Sequence, residues 1–186
     1  MSRGYLMLDG ARYEQPLRWL YQDYPEHEPR FLLRHTSYAD IAEFGPILVV
    51  ADEGSVLHEA WWRGEASLRS ALWLESALPP EQLFKVLQRR LRIHAPDGRE
   101  FWLRLGDSGP LRHAWLAGAQ WPAGFWHGIS SVWLQQDDVP VRAWCNETPE
   151  ADCAPADNGL MAQITLDWAL LEALTLNADS HEEAHG

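Results

Sequence analysis

The hydrophobic pattern between residues 72 and 111 predicts a strand, a helix, a hairpin and a second helix in close succession. The apolar run Leu72-Trp73-Leu74 is typical of a buried strand. A helix is predicted to begin near Pro79-Pro80, because a proline in the first turn loses no needed N–H group. Its apolar stripe consists of Leu83, Leu87 and Leu91. Its outward face is predicted to carry Lys85, Gln88 and Arg89.

A turn is predicted at Pro96-Asp97-Gly98, because proline fixes one backbone angle and glycine accepts a positive φ. Apolar residues alternate on both sides of this turn, which predicts two hairpin strands. The alternating residues are Leu91, Ile93 and Ala95 before the turn and Phe101, Leu103 and Leu105 after it. A second turn, capped by Asp107 or Ser108, leads into a helix that reaches Leu116. We expect one core to contain Trp73, Leu83, Leu87 and Phe101.

Shorter periodic segments complete the predicted fold. Strands are predicted at residues 5–8, 31–33, 47–51, 130–134 and 139–144, and helices near residues 17–24 and 56–61. Residues 47–51 are apolar enough to form a central strand. We therefore predict an α/β fold in which helices flank a mixed β-sheet, within a core domain of residues 1–134.

A smaller C-terminal lobe, residues 135–186, is predicted to follow the core domain. Residues 147–159 resemble a linker, since they contain prolines and several acidic residues. Residues 160–176 have two interpretations: one helix, or a strand over 160–164 followed by a helix over 166–176. We prefer the second, in which Thr165 caps the helix and Asp167 favours its first turn.

The composition is that of a globular protein, because 46% of the residues are hydrophobic. No apolar run reaches the roughly 20 residues that a membrane-spanning helix needs. The first residues lack the apolar region of a signal peptide. We therefore expect a cytoplasmic protein that does not engage membranes. In that compartment Cys145 and Cys153 should be free thiols.

Charge is distributed unevenly along the chain. Residues 1–134 contain 16 acidic and 14 basic residues, whereas residues 135–186 contain 11 acidic residues and one basic residue, Arg142. Nucleic-acid binding is not expected, because phosphate contacts need clustered lysines and arginines. The acidic region is either a solvated, disordered tail or a docking surface for a basic partner. Asp137 and Asp138 are the candidate contacts of such a surface.

Tryptophan is unusually frequent, with 11 residues in the chain. Most of these rings should lie in the core, since each buries a large apolar area. A surplus of this size also suits an aromatic contact surface, because tryptophan is enriched at interface hot spots. The candidate partner-binding tryptophans are Trp115, Trp121, Trp126 and Trp144.

Two short strings imitate catalytic motifs. Residues 181–185, His-Glu-Glu-Ala-His, fit the HExxH zinc pattern, but we do not expect an ordered metal cleft in a frayed chain end. Residues 106–110, Gly-Asp-Ser-Gly-Pro, are similar to a serine-protease nucleophile loop, yet a turn into a helix is the preferred interpretation. Arg104 and Asp107 are expected either to form a structural ion pair with each other or to pair with neighbouring helix termini. We therefore expect no catalytic residue, no metal and no cofactor.

The arrangement as a whole resembles a known family, the type VI secretion effector chaperones or adaptors, which carry a domain of unknown function numbered 4123. The matching residues are Trp73-Leu74-Glu75-Ser76, the Leu83, Leu87 and Leu91 helix, Pro96-Asp97-Gly98-Arg99, and Arg104 with Asp107. Further matches are Gly45-Pro46 before residues 47–50, and residues 126–133 with Gly128. The resemblance covers roughly residues 3–134. At Gly106 and Ser108 the chain departs from the family, which usually has an aromatic residue and a proline there.

This resemblance implies a non-catalytic cytosolic adaptor chaperone with a variable C-terminal part. The implied partners are a type VI secretion effector and the spike protein or its tip, onto which the effector is loaded. One alternative is an immunity protein, a small acidic inhibitor that covers the active site of a toxin. A hydrolase is a third interpretation, and it depends only on the two motif-like strings.

Overall fold

The computed structural model describes the backbone of residues 2–183 and the side chains of residues 2–175. The strands in this part of the chain are β1 (Arg3–Asp9), β2 (Pro29–Phe31), β3 (Pro46–Val50), β4 (Leu72–Ser76), β5 (Arg92–His94), β6 (Glu100–Trp102), β7 (Ile129–Gln136) and β8 (Val139–Cys145). Six of them form a sheet in the order β2-β3-β1-β4-β7-β8, and β5 pairs with β6 in a separate hairpin. All strand pairings in the large sheet are antiparallel.

Helices pack around these strands. They are α1 (Pro16–Asp23), α2 (Val56–Trp62), α3 (Pro80–Gln88), α4 (Ser108–Leu116) and α5 (Trp168–Glu183), with 3-10 helices at Gly10–Arg12, Ala39–Phe44 and Ala66–Leu68. The predicted α/β fold is therefore confirmed. The strand predicted as central is also internal, because β3 lies between β1 and β2.

Strand β1 forms the centre of the large sheet. Its residues from Gly4 to Asp9 are all buried, and it pairs with β3 on one edge and with β4 on the other. Leu6 lies opposite Val49 of β3 and opposite Trp73 of β4. A strand that is covered on both faces has a continuous apolar sequence, as residues 5–8 do. The sequence signal for this strand is therefore its continuous run of apolar residues, not an alternation of apolar and polar residues.

Helix α3 has the predicted apolar stripe at Leu83 and Leu87, but it ends at Gln88, so Leu91 is not part of the helix. Leu83 and Leu87 are buried in one core with Trp73. Arg89, which the pattern places on the outward face, is also buried, so that prediction was wrong. The Arg89 Nε donates a hydrogen bond to the carbonyl of Ala154 at 2.8 Å. A C-terminal segment thus covers a helix face that the local periodicity predicts to be open.

The predicted hairpin is present, but one of its core assignments is wrong. Strands β5 and β6 flank the turn, where Gly98 has the expected positive φ of 87°. Phe101 is 39% exposed rather than buried. The reason is that β6 is not a member of the large sheet and is exposed along its whole length. The hairpin therefore projects an aromatic side chain instead of packing it.

Residues 160–164 do not form the predicted strand. Instead, the chain makes one short parallel bridge to β5, between His94 and Thr165. The His94 N–H donates to the carbonyl of Ile164 at 2.8 Å, and the Leu166 N–H donates to the carbonyl of His94 at 2.9 Å. The C-terminal segment is thereby attached to the edge of the hairpin.

The cap of helix α5 is also different from the prediction. The carboxylate of Asp167 accepts the N–H of Leu170 at 2.8 Å, and the helix begins at Trp168. Thr165 does not cap it, because Thr165 takes part in the bridge to the hairpin. Asp167 is one of the strongest N-cap residue types, so the sequence contained the correct signal two residues further along.

The C-terminal region packs into the same structure as the rest. Strand β7 crosses the boundary that we predicted at residue 134, and β8 is the last strand of the large sheet. The common core also includes Ala154, Ile164, Leu166 and Leu170. The division into residues 1–134 and 135–186 stays a prediction. Within residues 2–183, no helix has both the length and the apolar character needed to cross a membrane.

The packing of α3 predicts a large effect for Leu87→Ala. The side chain is 1% exposed, so its truncation should lower the free energy of unfolding by about 2–5 kcal/mol. Urea unfolding measures this change. Leu116→Ala is the control, because Leu116 is a helical leucine that is 61% exposed, and its effect should stay below about 0.5 kcal/mol. Equal effects of the two substitutions would contradict the packing of α3.

Candidate functional site

An open groove is lined by the β5–β6 hairpin, the start of α4 and helix α5. Its volume is about 480 Å³, which falls within the range of roughly 300–1,000 Å³ that ligand pockets have. The apolar part of the lining includes Ile93, Phe101, Leu103, Pro110, Trp168 and Leu171. Such a mainly apolar surface that is open to solvent is suited to receive apolar side chains of another molecule.

Three large aromatic side chains are exposed along this groove. The exposed fractions are 39% for Phe101, 46% for Trp102 and 44% for Trp168. The guanidinium of Arg99 lies 5.5 Å from the ring centre of Phe101 and 5.9 Å from that of Trp168. This cation–π contact joins the hairpin to α5 and orients both rings. Rings that are already oriented lose little conformational freedom on binding.

Four charged residues meet at one end of the groove. The Nη2 atom of Arg12 donates to both carboxylate oxygens of Asp107, each at 2.9 Å. Arg104 makes an ion pair with Asp107 at 3.3 Å and a second with Asp9. The predicted pair of Arg104 and Asp107 is therefore confirmed, as part of a larger cluster.

The two carboxylates of this cluster are buried and engaged, whereas the two guanidinium groups face solvent. Asp107 caps helix α4 by accepting the N–H of Gly109 at 3.0 Å, as predicted. Asp9 accepts the N–H of Ala11 at 3.0 Å. The side chains of Asp107 and Asp9 are 1% and 9% exposed, against 43% for Arg12 and 54% for Arg104. The groups that a ligand meets first at this end of the groove are therefore the two guanidinium groups, whereas the exposed carboxylate of Glu172 lines the groove from α5.

Gly106 allows the chain to bring Arg104 and Asp107 to the end of the groove. A Cβ atom on Gly106 would lie 2.4 Å from the carbonyl oxygen of Leu8, which is closer than any side chain allows. Glycine thus lets the segment between Arg104 and Asp107 cross the end of β1. The resemblance marked Gly106 as a departure from the family, and this close contact gives its local physical reason.

The electrostatics of the cluster keep Arg104 charged. Burial alone would lower the pKa of Arg104, but the hydrogen bond and negative charge of Asp9, together with the charge of Asp107, raise it above its ordinary value. Arg104 is therefore protonated at physiological pH.

Three of the four predicted partner-binding tryptophans come together elsewhere. The ring centres of Trp121 and Trp144 lie 5.7 Å apart, and those of Trp126 and Trp144 lie 6.0 Å apart. Phe125 stacks on Trp121 at 4.3 Å. Trp126 is buried, and the other two tryptophans are partly buried against the core. The fourth, Trp115, is partly buried as well. Their contact with a partner stays a prediction.

The two predicted acidic contacts lie at the tip of the β7–β8 hairpin. Asp137 and Asp138 form its turn and are exposed, with positive φ angles of 51° and 62°. The carboxylate of Asp138 also pairs with Arg69 at 2.8 Å. The turn therefore projects at least the Asp137 carboxylate into solvent, and its role in partner binding stays a prediction.

Buried Arg90 positions the aromatic cluster. Its guanidinium donates to the carbonyl of Gly124 at 3.1 Å, to that of Phe125, and to Asp152 at 2.6 Å. Burial by itself would raise the pKa of Asp152, but the hydrogen bonds from the Ala154 N–H and from Arg90 lower it below its ordinary value. Arg90 therefore connects α3 to two later segments of the chain.

A second cleft, near the N-terminus of α2, has a mainly polar and charged lining. Asp52 pairs with Arg3 at 3.0 Å, and the pKa of Asp52 is lowered chiefly by that hydrogen bond. Both ring nitrogens of His27 are engaged, by the carbonyl of Val50 at 2.8 Å and the N–H of Leu57 at 3.4 Å. We therefore regard the apolar groove as the better candidate for partner recognition.

The motif-like strings do not add a site in the described part of the chain. Ser108 is buried, and its hydroxyl lies 3.3 Å from the carbonyl of Arg69. Among the described residues, no group of three or more His, Cys, Asp or Glu side chains is placed to hold a metal ion. The HExxH string at residues 181–185 lies outside the residues whose side chains are described. Cys145 and Cys153 are free thiols, as expected.

Sequence reasoning missed the residues that build the groove. A local signal existed for Phe101 and Trp102, since two adjacent aromatic residues on a strand point to opposite faces, and both are buried only where the strand is covered on both faces. No local signal existed for the pairing of Arg12 with Asp107, which are 95 residues apart. Trp168 was assigned only to a helix, because its position beside the hairpin depends on the bridge at Thr165.

The family model for the Domain of unknown function (DUF4123) matches residues 4–121 of the chain. This match covers more than half of the sequence, so the chain belongs to that family. A search of curated proteins and a search of solved structures both find no match. The matched range contains the β5–β6 hairpin and α4, whereas α5 lies beyond it.

The pairing of Arg90 with Asp152 predicts a pH-dependent effect of Asp152→Asn. At pH 7 this substitution should lower the free energy of unfolding by about 3 kcal/mol, because it leaves a buried guanidinium without its counter-charge. The folded-state pKa of Asp152 is lowered below the ordinary value of an aspartate. The stabilisation is therefore complete above the ordinary aspartate pKa, and it is lost as the pH falls through the lower, folded-state pKa. The difference between the two proteins should close on strong acidification.

Urea unfolding at a series of pH values measures this difference. Asp157→Asn is the matched control, because Asp157 pairs with Lys85 at 3.4 Å at an exposed position. Its effect should stay below about 1 kcal/mol at every pH. A pH-independent loss in Asp152→Asn would show that packing, rather than the ion pair, holds the two segments together.

Proposed function

We propose that this protein is a non-catalytic adaptor chaperone of type VI secretion. It binds an effector protein in the cytoplasm and helps to load it onto the spike protein or its tip. Family membership over residues 4–121 supports this proposal, because it overlaps the resemblance to effector chaperones over residues 3–134. The physical support comes from the surface of the molecule.

The observation that carries the proposal is the open apolar groove beside the hairpin. Two tryptophans and one phenylalanine are exposed there, at Phe101, Trp102 and Trp168. Exposing three such rings costs solubility, and tryptophan is among the residues most enriched at binding hot spots. A chaperone that covers an apolar segment of its client needs a surface of this kind.

The acidic C-terminal region supports a second element of the proposal. Residues 135–186 contain 11 acidic residues and one basic residue. An excess of one sign attracts a partner surface of the opposite sign over distances of about 8 Å at physiological salt. The acidic turn of Asp137 and Asp138 presents part of this charge. We therefore expect the effector to combine a basic surface with an apolar segment.

Copurification from the native cell tests the proposal directly. The tagged full-length chain should recover one effector, together with the spike protein or its tip. A matched preparation that carries the tag alone sets the background. Recovery of other proteins but of no secretion component would contradict the adaptor function.

The activity of the recovered effector separates an adaptor from an immunity protein. An adaptor that holds the effector for delivery should leave its toxic activity within about twofold of the free effector. An immunity protein covers the active site, so binding would suppress the activity at stoichiometric concentration. Strong inhibition would therefore favour the immunity function over the adaptor function.

We also predict that the Ser108 hydroxyl has no catalytic role. It is buried in a turn, 3.3 Å from the carbonyl of Arg69 and 3.3 Å from the guanidinium of Arg112. Ser108→Ala should therefore leave effector delivery unchanged and cost at most about 1–2 kcal/mol of stability. Delivery assays and thermal unfolding measure the two effects. Loss of delivery in a variant that folds normally would revive the hydrolase interpretation.

A further inference from the structure

The apolar groove combines two chemistries that select different parts of one ligand. Its walls are apolar and aromatic, from Phe101 on the hairpin to Trp168 and Leu171 on α5. Its charged end presents the guanidinium groups of Arg12 and Arg104. A ligand that satisfies both must have large apolar side chains and a group that accepts hydrogen bonds from guanidinium.

The two arginines retain the capacity to bind such a group. Among the described residues, the hydrogen bonds from Arg12 and Arg104 are made by the Nη2 atom of each side chain. A guanidinium group has five N–H donors in a planar fork. Both side chains are also about half exposed. Further donors of each group can therefore reach a carboxylate on a bound molecule.

The carboxylates of Asp107 and Asp9, which pair with these arginines, cannot move to the position that the carboxylate of a bound ligand would take. Asp107 and Asp9 are fixed by hydrogen bonds from the backbone N–H groups of Gly109 and Ala11, at 3.0 Å each. They lie beneath the arginines and are nearly inaccessible to solvent. A ligand in the groove therefore meets the positive side of the cluster. By charge complementarity, an acidic group is favoured there and a basic one is disfavoured.

We infer that the groove binds an amphipathic segment of the effector that carries large apolar side chains and one acidic side chain. The apolar side chains pack against Phe101, Trp168 and Leu171, and the carboxylate binds Arg12 and Arg104. The inference depends on the proposed adaptor function and deepens it, because it defines the chemistry of the client segment. The volume of about 480 Å³ admits a few side chains rather than a folded domain, so a short segment is the occupant.

Site-specific photo-crosslinking tests the identity of the occupant. The full-length chain with Trp168→p-benzoylphenylalanine is irradiated in the native cell, and mass spectrometry identifies the crosslinked peptide. The expected result is an effector segment with several large apolar residues and an aspartate or glutamate. The same photoreactive residue at Trp62 is the control, because Trp62 is a tryptophan of similar exposure, 40%, that does not line the groove.

Several outcomes would overturn the inference. A crosslink to a second copy of this chain would identify the groove as a self-association surface. A crosslink to a segment without acidic residues would refute the role of the arginines. An effector that copurifies but is not crosslinked at position 168 would show that it binds elsewhere, while the adaptor function itself remained intact. If no effector copurified with the wild-type chain, the adaptor function would fail, and the inference with it.

Binding measurements with the recovered effector test the energetics. Trp168→Ala should weaken the complex at least tenfold, as expected for a central aromatic anchor. Trp62→Ala should change the affinity by less than about twofold. Equal effects of these two substitutions would overturn the inference, since they would show that loss of any exposed tryptophan weakens the complex.

A double-mutant cycle tests the carboxylate contact. On the effector, replacing the acidic side chain by its amide should weaken binding to the wild-type chain about tenfold or more, since the hydrogen bonds involve two charged groups. Arg12→Gln is the partner substitution, because Asp107 keeps its ion pair with Arg104 at 3.3 Å. In that variant the amide substitution should lose most of its effect.

The control for this cycle is Arg63→Gln, which removes an exposed arginine that pairs with Glu65 at 3.6 Å. The amide substitution should keep its full effect in the Arg63 variant. Thermal unfolding confirms that both variants are folded. Additive effects of Arg12→Gln and the amide substitution would overturn the proposed contact, because a purely structural role of Arg12 gives no coupling to the effector.

Discussion

One buried charge, the guanidinium of Arg90, joins the end of α3 to the segments around Phe125 and Asp152. Its side chain is inaccessible to solvent, and burial lowers its pKa. A guanidinium in that environment is tolerated only when its donors find acceptors and its charge finds a partner. Arg90, which follows the end of α3, finds them in that helix, at the carbonyl of Val86, and in two later segments, at Phe125 and Asp152. If either later segment separated from α3, a buried charge would lose its partners, and this cost favours keeping the three segments together.

The position of the groove follows from this arrangement. The chain that leaves Asp152 runs back along the hairpin, bridges β5 at Thr165 and enters helix α5. One wall of the groove therefore comes from residues 92–102, inside the range that matches the family, and the other comes from α5, outside that range. In an adaptor, this division would let the shared part of the fold keep its exposed hairpin aromatics while the C-terminal part changes the opposite wall. Specificity would then depend on α5 more than on the hairpin.

The hydrophobic pattern predicted the elements better than their surroundings. It identified the stripe of Leu83 and Leu87, because helical periodicity reports which face of a helix is apolar. It failed for Arg89, because periodicity does not report that a distant segment covers the opposite face. The same limit explains the groove: Arg12 and Asp107 are brought together by the crossing of Gly106 over β1, and no local pattern encodes that contact. The error in the cap of α5 was smaller, since the observed capping residue, Asp167, lies two positions after the predicted one, Thr165.

Charge acts at two distances in this molecule, and the two effects select different features of a partner. The excess of acidic residues over 135–186 acts before contact, within a Debye length of about 8 Å, and favours an approaching surface that is basic. Arg12 and Arg104 act only on contact, and there they favour an acidic side chain. A uniformly basic segment would be attracted but would meet guanidinium groups in the groove, and a uniformly acidic one would be repelled before it arrived. Specificity is the difference between the affinity for the correct partner and the affinity for its competitors. Repulsive contacts with the competitors enlarge that difference. If the protein is the proposed adaptor, the opposed charges of residues 135–186 and of the groove would favour partners that combine a basic surface with an acidic, apolar segment.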